Sequence, residues 1–449
     1  MSKYPLFQKK YKHTAHKALA ALLVSALTLS GCGAAGEDRT PAMAGSQEKT
    51  VTAQSVRSSS TAGSAGSEAD NDTAQTVSES AVVTDGIGNA PEITGLTCTG
   101  KLNLGYAEQF SVYYYDGGYK MFVVSDTAGN STDYLLIPDG KEAPSGLPDD
   151  VVTLQAPLDH IYMAASGSMC FFTAIGCLDD VTMTAIDRDG WTIQEPVDAL
   201  NDGRMTYAGK YSEPDYEMLL DNGCDAAIES TMILHSPEVQ EMLENLDIPV
   251  IIDQCSYEAD PFGRMEWVKF YGALMGKEQE ADDYFRQEMQ SLGDYRSYTD
   301  TGRTAAFFTM NSSGQITVRR TDDFIPNLIK MAGGNYIFDD LENPAGDSVL
   351  VNLTMETFYD EAKDADYLIY NATIESPLTG ISDLEEKSSL FADFKAVKDG
   401  HVWQVDRSWY QSTDHLGDLL TDFHLMFTGG DVDRMTFLTP VSNGTHGNV

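Results

Sequence analysis

The sequence predicts an α/β protein of two Rossmann-like lobes joined by a long rigid interlobe helix, with a small β-rich addition on the N-terminal side. Strand-like and helix-like stretches alternate twice, over 151–260 and again over 299–449, the spacing that builds mostly parallel sheets. Between them, from Gly263 to about Leu292, only Gly272 and Gly276 interrupt a helical pattern. About 30 residues at 1.5 Å each make a rod of about 45 Å, long enough to brace two domains. The halves also echo each other. Glu217-Met-Leu-Leu-Asp221-Asn-Gly-Cys-Asp225 runs into Ala226-Ala-Ile, and Glu356-Thr-Phe-Tyr-Asp360-Glu-Ala-Lys-Asp364 runs into Tyr367-Leu-Ile. Both read E-x-x-x-D-x-x-x-D on a helix that feeds a strand, which suggests two lobes built alike.

The chain begins with Lys3, Lys9, Lys10, Lys12 and Lys17 and no acid, followed by an apolar run from Ala18 to Leu29. That run is too short to span a bilayer and suits the core of an export signal. Leu29-Ser30-Gly31-Cys32 resembles a bacterial lipobox, so residues 1–31 are expected to be a lipoprotein signal peptide and Cys32 the lipid-modified N-terminus. Without the signal, 24 basic residues face 69 acidic ones, a formal charge of −45. Such a chain is no partner for nucleic acid, and charge cannot hold it on an anionic membrane. Lipid must do the anchoring, on the extracytoplasmic face of the cell membrane.

Residues 32–92 are mostly Ser, Thr, Ala, Gly and Asp without an aromatic side chain, and are expected to be a disordered tether with a reach on the order of 40 Å. Over 93–150 the β-rich addition is signalled by Phe110–Tyr115, a turn at Asp116-Gly117-Gly118 and Lys120–Val124. The N-terminal α/β lobe, 151–260, carries expected strands at His160–Ala165, Val181–Ile186, Ala226–Ser230 and Pro249–Asp253. Helices are expected between them at Ser168–Gly176, Pro214–Leu220 and Pro237–Leu246. The interlobe helix takes 261–298. In the C-terminal α/β lobe, 299–449, the main elements are Thr304–Met310, Gln315–Arg320, Phe324–Ala332, Met355–Lys363, Tyr367–Tyr370, His401–Val405 and Leu416–Phe427. Besides Cys32, five scattered cysteines (Cys98, Cys170, Cys177, Cys224 and Cys255) show no CxxC spacing and read as small core residues.

Pro261-Phe-Gly-Arg-Met-Glu-Trp-Val-Lys-Phe-Tyr-Gly272, with Gly276-Lys-Glu, resembles the start of the interlobe helix in class III periplasmic binding proteins, the lipoprotein receptors of iron–siderophore, haem and cobalamin ABC importers. Ile228-Glu-Ser-Thr-Met232, Asp366-Tyr-Leu-Ile-Tyr-Asn371 and Phe394-Lys-Ala-Val-Lys-Asp-Gly-His-Val-Trp403 agree with it. The resemblance covers about 151–428. It implies a receptor that captures a metal chelate, first of all an iron–siderophore complex, and hands it to an ABC permease and its ATPase subunit, acting as a monomer without a resident cofactor or metal. It also implies that Glu217 and Glu356 are the surface glutamates that dock on the permease. Their helix neighbours Leu219, Leu220, Met355 and Phe358 face the core, which turns both acids outward.

A gap between lobes needs aromatic walls and polar anchors, supplied in α/β sheets by loops after strands. The first lobe offers Ser166, Ser168, Met169, Trp191, Tyr211 and Tyr257, and the second Arg319, Arg320, Trp403, Trp409 and Tyr410. Arg319 and Arg320 would alternate faces on a strand, so one of them points inward, where a guanidinium could fork onto a carboxylate or catecholate. Equally, the pair could be a solvated turn, the tryptophans core and Met169 packing. No catalytic residue is assigned. Gly272-Ala-Leu-Met-Gly276-Lys277-Glu278 is one residue short of a phosphate loop, neither HExxH nor G-x-S-x-G occurs, and Gly346-Asp-Ser348 lacks the setting of an esterase. A surface-tethered hydrolase or carbohydrate-binding protein on the same fold is the rival reading.

Overall fold

The computed structural model describes residues 81–341, 349–373 and 375–442. The expected signal peptide, Cys32, most of the tether and Ser348 lie outside them. The first sheet runs β1 (Val82–Val83), β2 (Cys98–Leu102), β3 (Phe110–Tyr115), β4 (Lys120–Ser125), β5 (Ser131–Ile137) and β6 (Val152–Gln155) in spatial order, antiparallel except for the β5–β6 pair. Asp116-Gly117-Gly118 joins β3 to β4 because both glycines take positive φ, 76° and 88°, which an ordinary residue resists. Strand structure thus begins inside the stretch expected to be tether. Val82 and Val83 are an apolar β-branched pair that docks on Leu102 and Lys101, enough to end the tether about ten residues before 92.

The chain then winds through β7 (Ile161–Met163), α1 (Met169–Ala174), β8 (Met183–Thr184), α2 (Gln194–Asp202) and β9 (Thr206–Tyr207). A two-strand ribbon of β10 (Gly209–Lys210) and β11 (Glu213–Pro214) follows, then α3 (Tyr216–Asp221), β12 (Ala226–Ser230), α4 (Pro237–Asn245) and β13 (Val250–Asp253). Strands β13-β12-β7-β8-β9 form one sheet, parallel throughout.

The second lobe contains β14 (Arg303–Met310), β15 (Ile316–Arg319), a helix at Phe324–Met331, β16 (Gly334–Tyr336), β17 (Leu350–Leu353), a helix at Met355–Ala362 and β18 (Tyr367–Asn371). It closes with helices at Ile381–Lys387 and Lys395–Asp399, β19 (Val402–Val405), a helix at Leu416–Thr428 and β20 (Leu438–Pro440). The sheet order is β17-β15-β14-β18-β19-β20, with β16 on the first residues of β14. Its centre, β14-β18-β19, is parallel and its flanks are antiparallel. The two-lobed α/β plan of the sequence stands, as two separate sheets.

The single rod does not. Residues 263–292 fold as α5 (Pro261–Met275) and α6 (Glu278–Ser291), broken where Gly276 takes φ 68° as a left-handed helix cap. Three cross-contacts turn α6 back along α5: Lys269 Nζ to Asp282 Oδ1 at 3.1 Å, Lys269 over the Phe285 ring, and Gly272 against Ala281. A Cβ at position 272 would stand 2.4 Å from the Ala281 Cβ, so only glycine admits this approach. The two glycines that interrupt the pattern therefore build a helical hairpin, and α5 alone measures about 22 Å.

That hairpin is the spine. Fourteen of the fifteen residues of α5 are buried. Trp267 and Phe270 pack on Phe110 and Phe122 of the first sheet, and Tyr271 packs on Phe171 and Phe172 of α1. The Arg264 guanidinium lies 3.6 Å over the Phe324 ring of the second lobe. The first sheet is also fastened by charge. Glu266 accepts the N–H groups of Gly105, Tyr106 and Ala107, while Glu258 accepts those of Glu108 and Gln109. Five successive amides of the β2–β3 connection thus end on two buried carboxylates, each such bond stronger than a neutral one.

Candidate functional site

In an α/β sheet the strands point their C-terminal ends, and the loops that leave them, at the ligand. Here the loops after β7 and β8 of the first lobe meet the loop after β19 of the second. Gly167, just past β7, accepts from the Thr413 hydroxyl at 2.8 Å. Gln411 reaches across to the loop after β8. Its Oε1 accepts from the Thr192 N–H at 2.6 Å and the Thr192 hydroxyl at 2.7 Å, and its Nε2 donates to the Gly190 carbonyl at 3.0 Å. The two lobes are therefore in direct hydrogen-bonded contact along this seam.

Beside the seam stands a group of charges. Asp253, at the end of β13, is buried; it accepts from the Ser168 hydroxyl at 2.6 Å, from the Tyr271 hydroxyl and from the Cys255 N–H. Burial pushes its carboxyl above the usual range despite those bonds. Arg264, 8% exposed, donates to the carbonyls of Glu258 and Ser256, and burial lowers its pKa while Asp323 opposes that. Arg319, at the end of β15, lies 3.4 Å from Asp323. Tyr410 is 48% exposed as a residue, yet its phenol is raised by burial, with Arg319 and Arg264 pulling it down. Two guanidiniums and a phenol thus converge in a strongly acidic protein, an arrangement able to grip an oxygen-rich anionic ligand.

Several residues singled out in the sequence lie on the loops that leave these strands. Ser166 is half-buried in the loop after β7, Tyr257 half-buried in the loop after β13, and Trp191 buried between Gly190 and Thr192. Arg319 faces the charge group, whereas Arg320 turns to Asp322, as the alternation of a strand requires. Other candidates are elsewhere. Met169 is fully buried in the core as the first residue of α1. Trp403 is buried within β19, opposite Ile369 and Pro440, not in the loop beyond it. Tyr211 packs with Tyr216 on the cluster around Leu219. Arg264 and Gln411 give no such signal in the sequence: Arg264 lies inside the helix motif, and Gln411 adjoins Tyr410 and carries no charge or ring to advertise it.

Glu217 and Glu356 are each the second residue of a helix, α3 and Met355–Ala362, and both are exposed. Asp215 and Thr354 cap these helices alike, accepting from Met218 N at 3.0 Å and Thr357 N at 3.2 Å. Each helix leads into a parallel strand, β12 or β18. Among the described residues no helix is long and apolar enough to cross a membrane.

No family model matches the chain. An uncharacterized lipoprotein of Methanocaldococcus jannaschii is 26% identical over 75% of this chain and 82% of its own length. A Bacillus subtilis lipoprotein, provisionally named as an ABC-transporter substrate-binding protein, is 23% identical over 45% of this chain and 62% of its own. Among solved structures, a periplasmic binding protein from Veillonella parvula superposes with a TM-score of 0.52 and 17% identity, covering 70% of this chain and all of that one. The seam between two α/β lobes, the spine behind it and this superposition agree: the chain has the two-lobed fold of a periplasmic binding protein.

Proposed function

We propose that this chain is the extracytoplasmic solute-binding lipoprotein of an ABC importer, anchored to the cell membrane through Cys32 and acting as a monomer. It grips an iron–siderophore complex between its lobes and delivers it to the permease and its ATPase subunit, docking through Glu217 and Glu356. The observation that carries this reading is the convergence of Arg264, Arg319 and Tyr410 beside a seam built from loops at strand ends. Ferric siderophores are bulky, oxygen-rich and often anionic, and forked guanidiniums suit them better than a lysine ammonium would. Ser166, Trp191 and Tyr257 line the first-lobe side. The cargo is held and released unchanged.

Haem or a corrinoid is the second cargo of the same reading, favoured by the aromatic residues Trp191, Trp409 and Tyr410 near the seam. Titration of purified protein with ferric hydroxamate and catecholate siderophores, haemin and cyanocobalamin, followed by absorbance and tryptophan fluorescence, tests the proposal. One chelate bound tightly and recovered intact supports it. No binding to any of them, together with hydrolase activity abolished by Ser348→Ala, gives the function to the rival enzyme.

A further inference from the structure

Gln411 is 7% exposed, sits on the loop after β19, and spends all of its polar contacts on the opposite lobe. It is a neutral side chain that both accepts and donates. It can therefore hold the Thr192 N–H and hydroxyl with one end and the Gly190 carbonyl with the other, without burying a charge. Thr413, two residues on, adds the bond to Gly167. The seam is thus held shut by the chain's own side chains.

The residues around this contact look unfinished. Trp191 lies between the two residues that Gln411 binds, and Trp409 lies two positions before it. Both indoles are buried, and neither Nε1 has a hydrogen-bond partner. Native interiors seldom leave a buried N–H unpaired, and two such donors bracket one latch. Once Gln411 withdraws, Thr192 also loses the partner of its two donors, and four donors are then left without one.

We propose that Gln411 is the closing latch and selectivity residue of the interlobe seam, a stand-in for cargo that only a ligand rich in oxygen acceptors can displace. Such a ligand takes over the Thr192 donors and pairs the idle indoles of Trp191 and Trp409. This rests on the reading of the seam as the cargo site and adds to it which groups the cargo must present and what it must break on entry.

Two measurements test it separately. Spin labels at Asp202→Cys and Asp399→Cys, in a background with Cys98 and Cys224 changed to serine, report the interlobe distance without cargo. Loss of three hydrogen bonds in Gln411→Ala should lower the closed-to-open ratio by about ten- to a hundredfold, seen as a longer, broader distance distribution. Thr192→Val, which removes one hydroxyl donor only, should give a smaller shift the same way and serves if Gln411→Ala misfolds. Distances unchanged in both variants overturn the latch whether or not a cargo is known. In ¹⁵N spectra the Trp191 and Trp409 indole N–H signals should move downfield on adding the diamagnetic gallium(III) complex of a bound catecholate or hydroxamate, while the buried Trp267 stays fixed. A chelate that binds without moving either indole refutes the acceptor requirement. If no chelate binds at all, the cargo reading fails and the distances alone decide the latch.

Discussion

Glu229 offers the sharpest physical test of the first lobe. It lies in β12, the second strand of the parallel sheet, is 0% exposed, and neither carboxylate oxygen has a hydrogen-bond partner. Burial alone pushes its pKa from 4.5 to about 8. A proton held more tightly in the folded chain than in the unfolded one favours folding at low pH. The resulting stability is complete below about pH 4.5 and drains away as pH rises towards 8. At 1.36 kcal/mol per pH unit the whole window is worth about 5 kcal/mol, of which about 3.4 kcal/mol is already lost at pH 7. Water reaching the site through local opening makes these upper bounds. Glu229→Gln keeps the shape and one unpaired polar group but cannot ionise. Urea unfolding at pH 5, 7 and 8.5 should find variant and wild type close at pH 5. By pH 8.5 the variant should be ahead by about 2–5 kcal/mol. Asp253, Glu258 and Asp422 are also raised by burial, but they tilt both curves equally and cancel in the difference. Parallel curves would refute the buried, unpaired carboxylate.

Three further outcomes are expected. Gly272→Val forces α6 off α5 where a Cβ already meets Ala281 at 2.4 Å, and should cost about 3 kcal/mol or more, read as a fall in thermal midpoint of several degrees. Changing Glu217 and Glu356 together to arginine should abolish uptake by cells while leaving the Kd for the cargo unchanged; normal uptake would remove the docking role. His415 is raised from 6.5 to about 9, first by its hydrogen bond to Glu288, with Asp414 and Asp418 adding to it, so its bond from the second lobe to α6 strengthens below pH 6.5 and fades through pH 9. With 43% of that side chain in water, His415→Asn should cost only about 1 kcal/mol at pH 6 and nothing at pH 10.

Where apolar periodicity meets a short loop, the sequence is nearly a map. The strands that end at Ser230, Asp253 and Met310 and the helix from Phe324 stand where continuous apolar runs and capping residues put them, because Asp323 and similar caps fix a boundary chemically. Reading 263–292 as one rod failed because helical periodicity cannot see direction. Both halves of a hairpin keep the same pattern as a straight helix, and only Gly272 and Gly276 carried the difference. The site was half legible for a similar reason. Arg319 and Tyr410 advertise themselves by chemistry, but Gln411 acquires its role from Thr192 and Gly190, more than two hundred residues away in the chain. Met169 and Trp403 have the right chemistry in the wrong place, since one turn of α1 or one residue of β19 decides between the gap and the core.

The fold's mechanical logic survives the loss of the rod and becomes more specific. A straight helix of about 45 Å would resist bending along its own length only. The hairpin instead gathers three bodies on one buried helix: the first sheet through Phe110 and Phe122, the first lobe through Phe171 and Phe172, the second through Phe324. Glu266 also binds Lys269, which binds Asp282 of α6, so the amides of residues 105–107 and the turned-back helix share one buried ion network. Removing any one partner would strand a charge in the interior, a cost of several kcal/mol. The N-terminal sheet is consequently part of the brace and not an ornament on it. Stiffness resides behind the seam, and at the seam itself Gln411 and Thr413 join the lobes by hydrogen bonds to Thr192, Gly190 and Gly167.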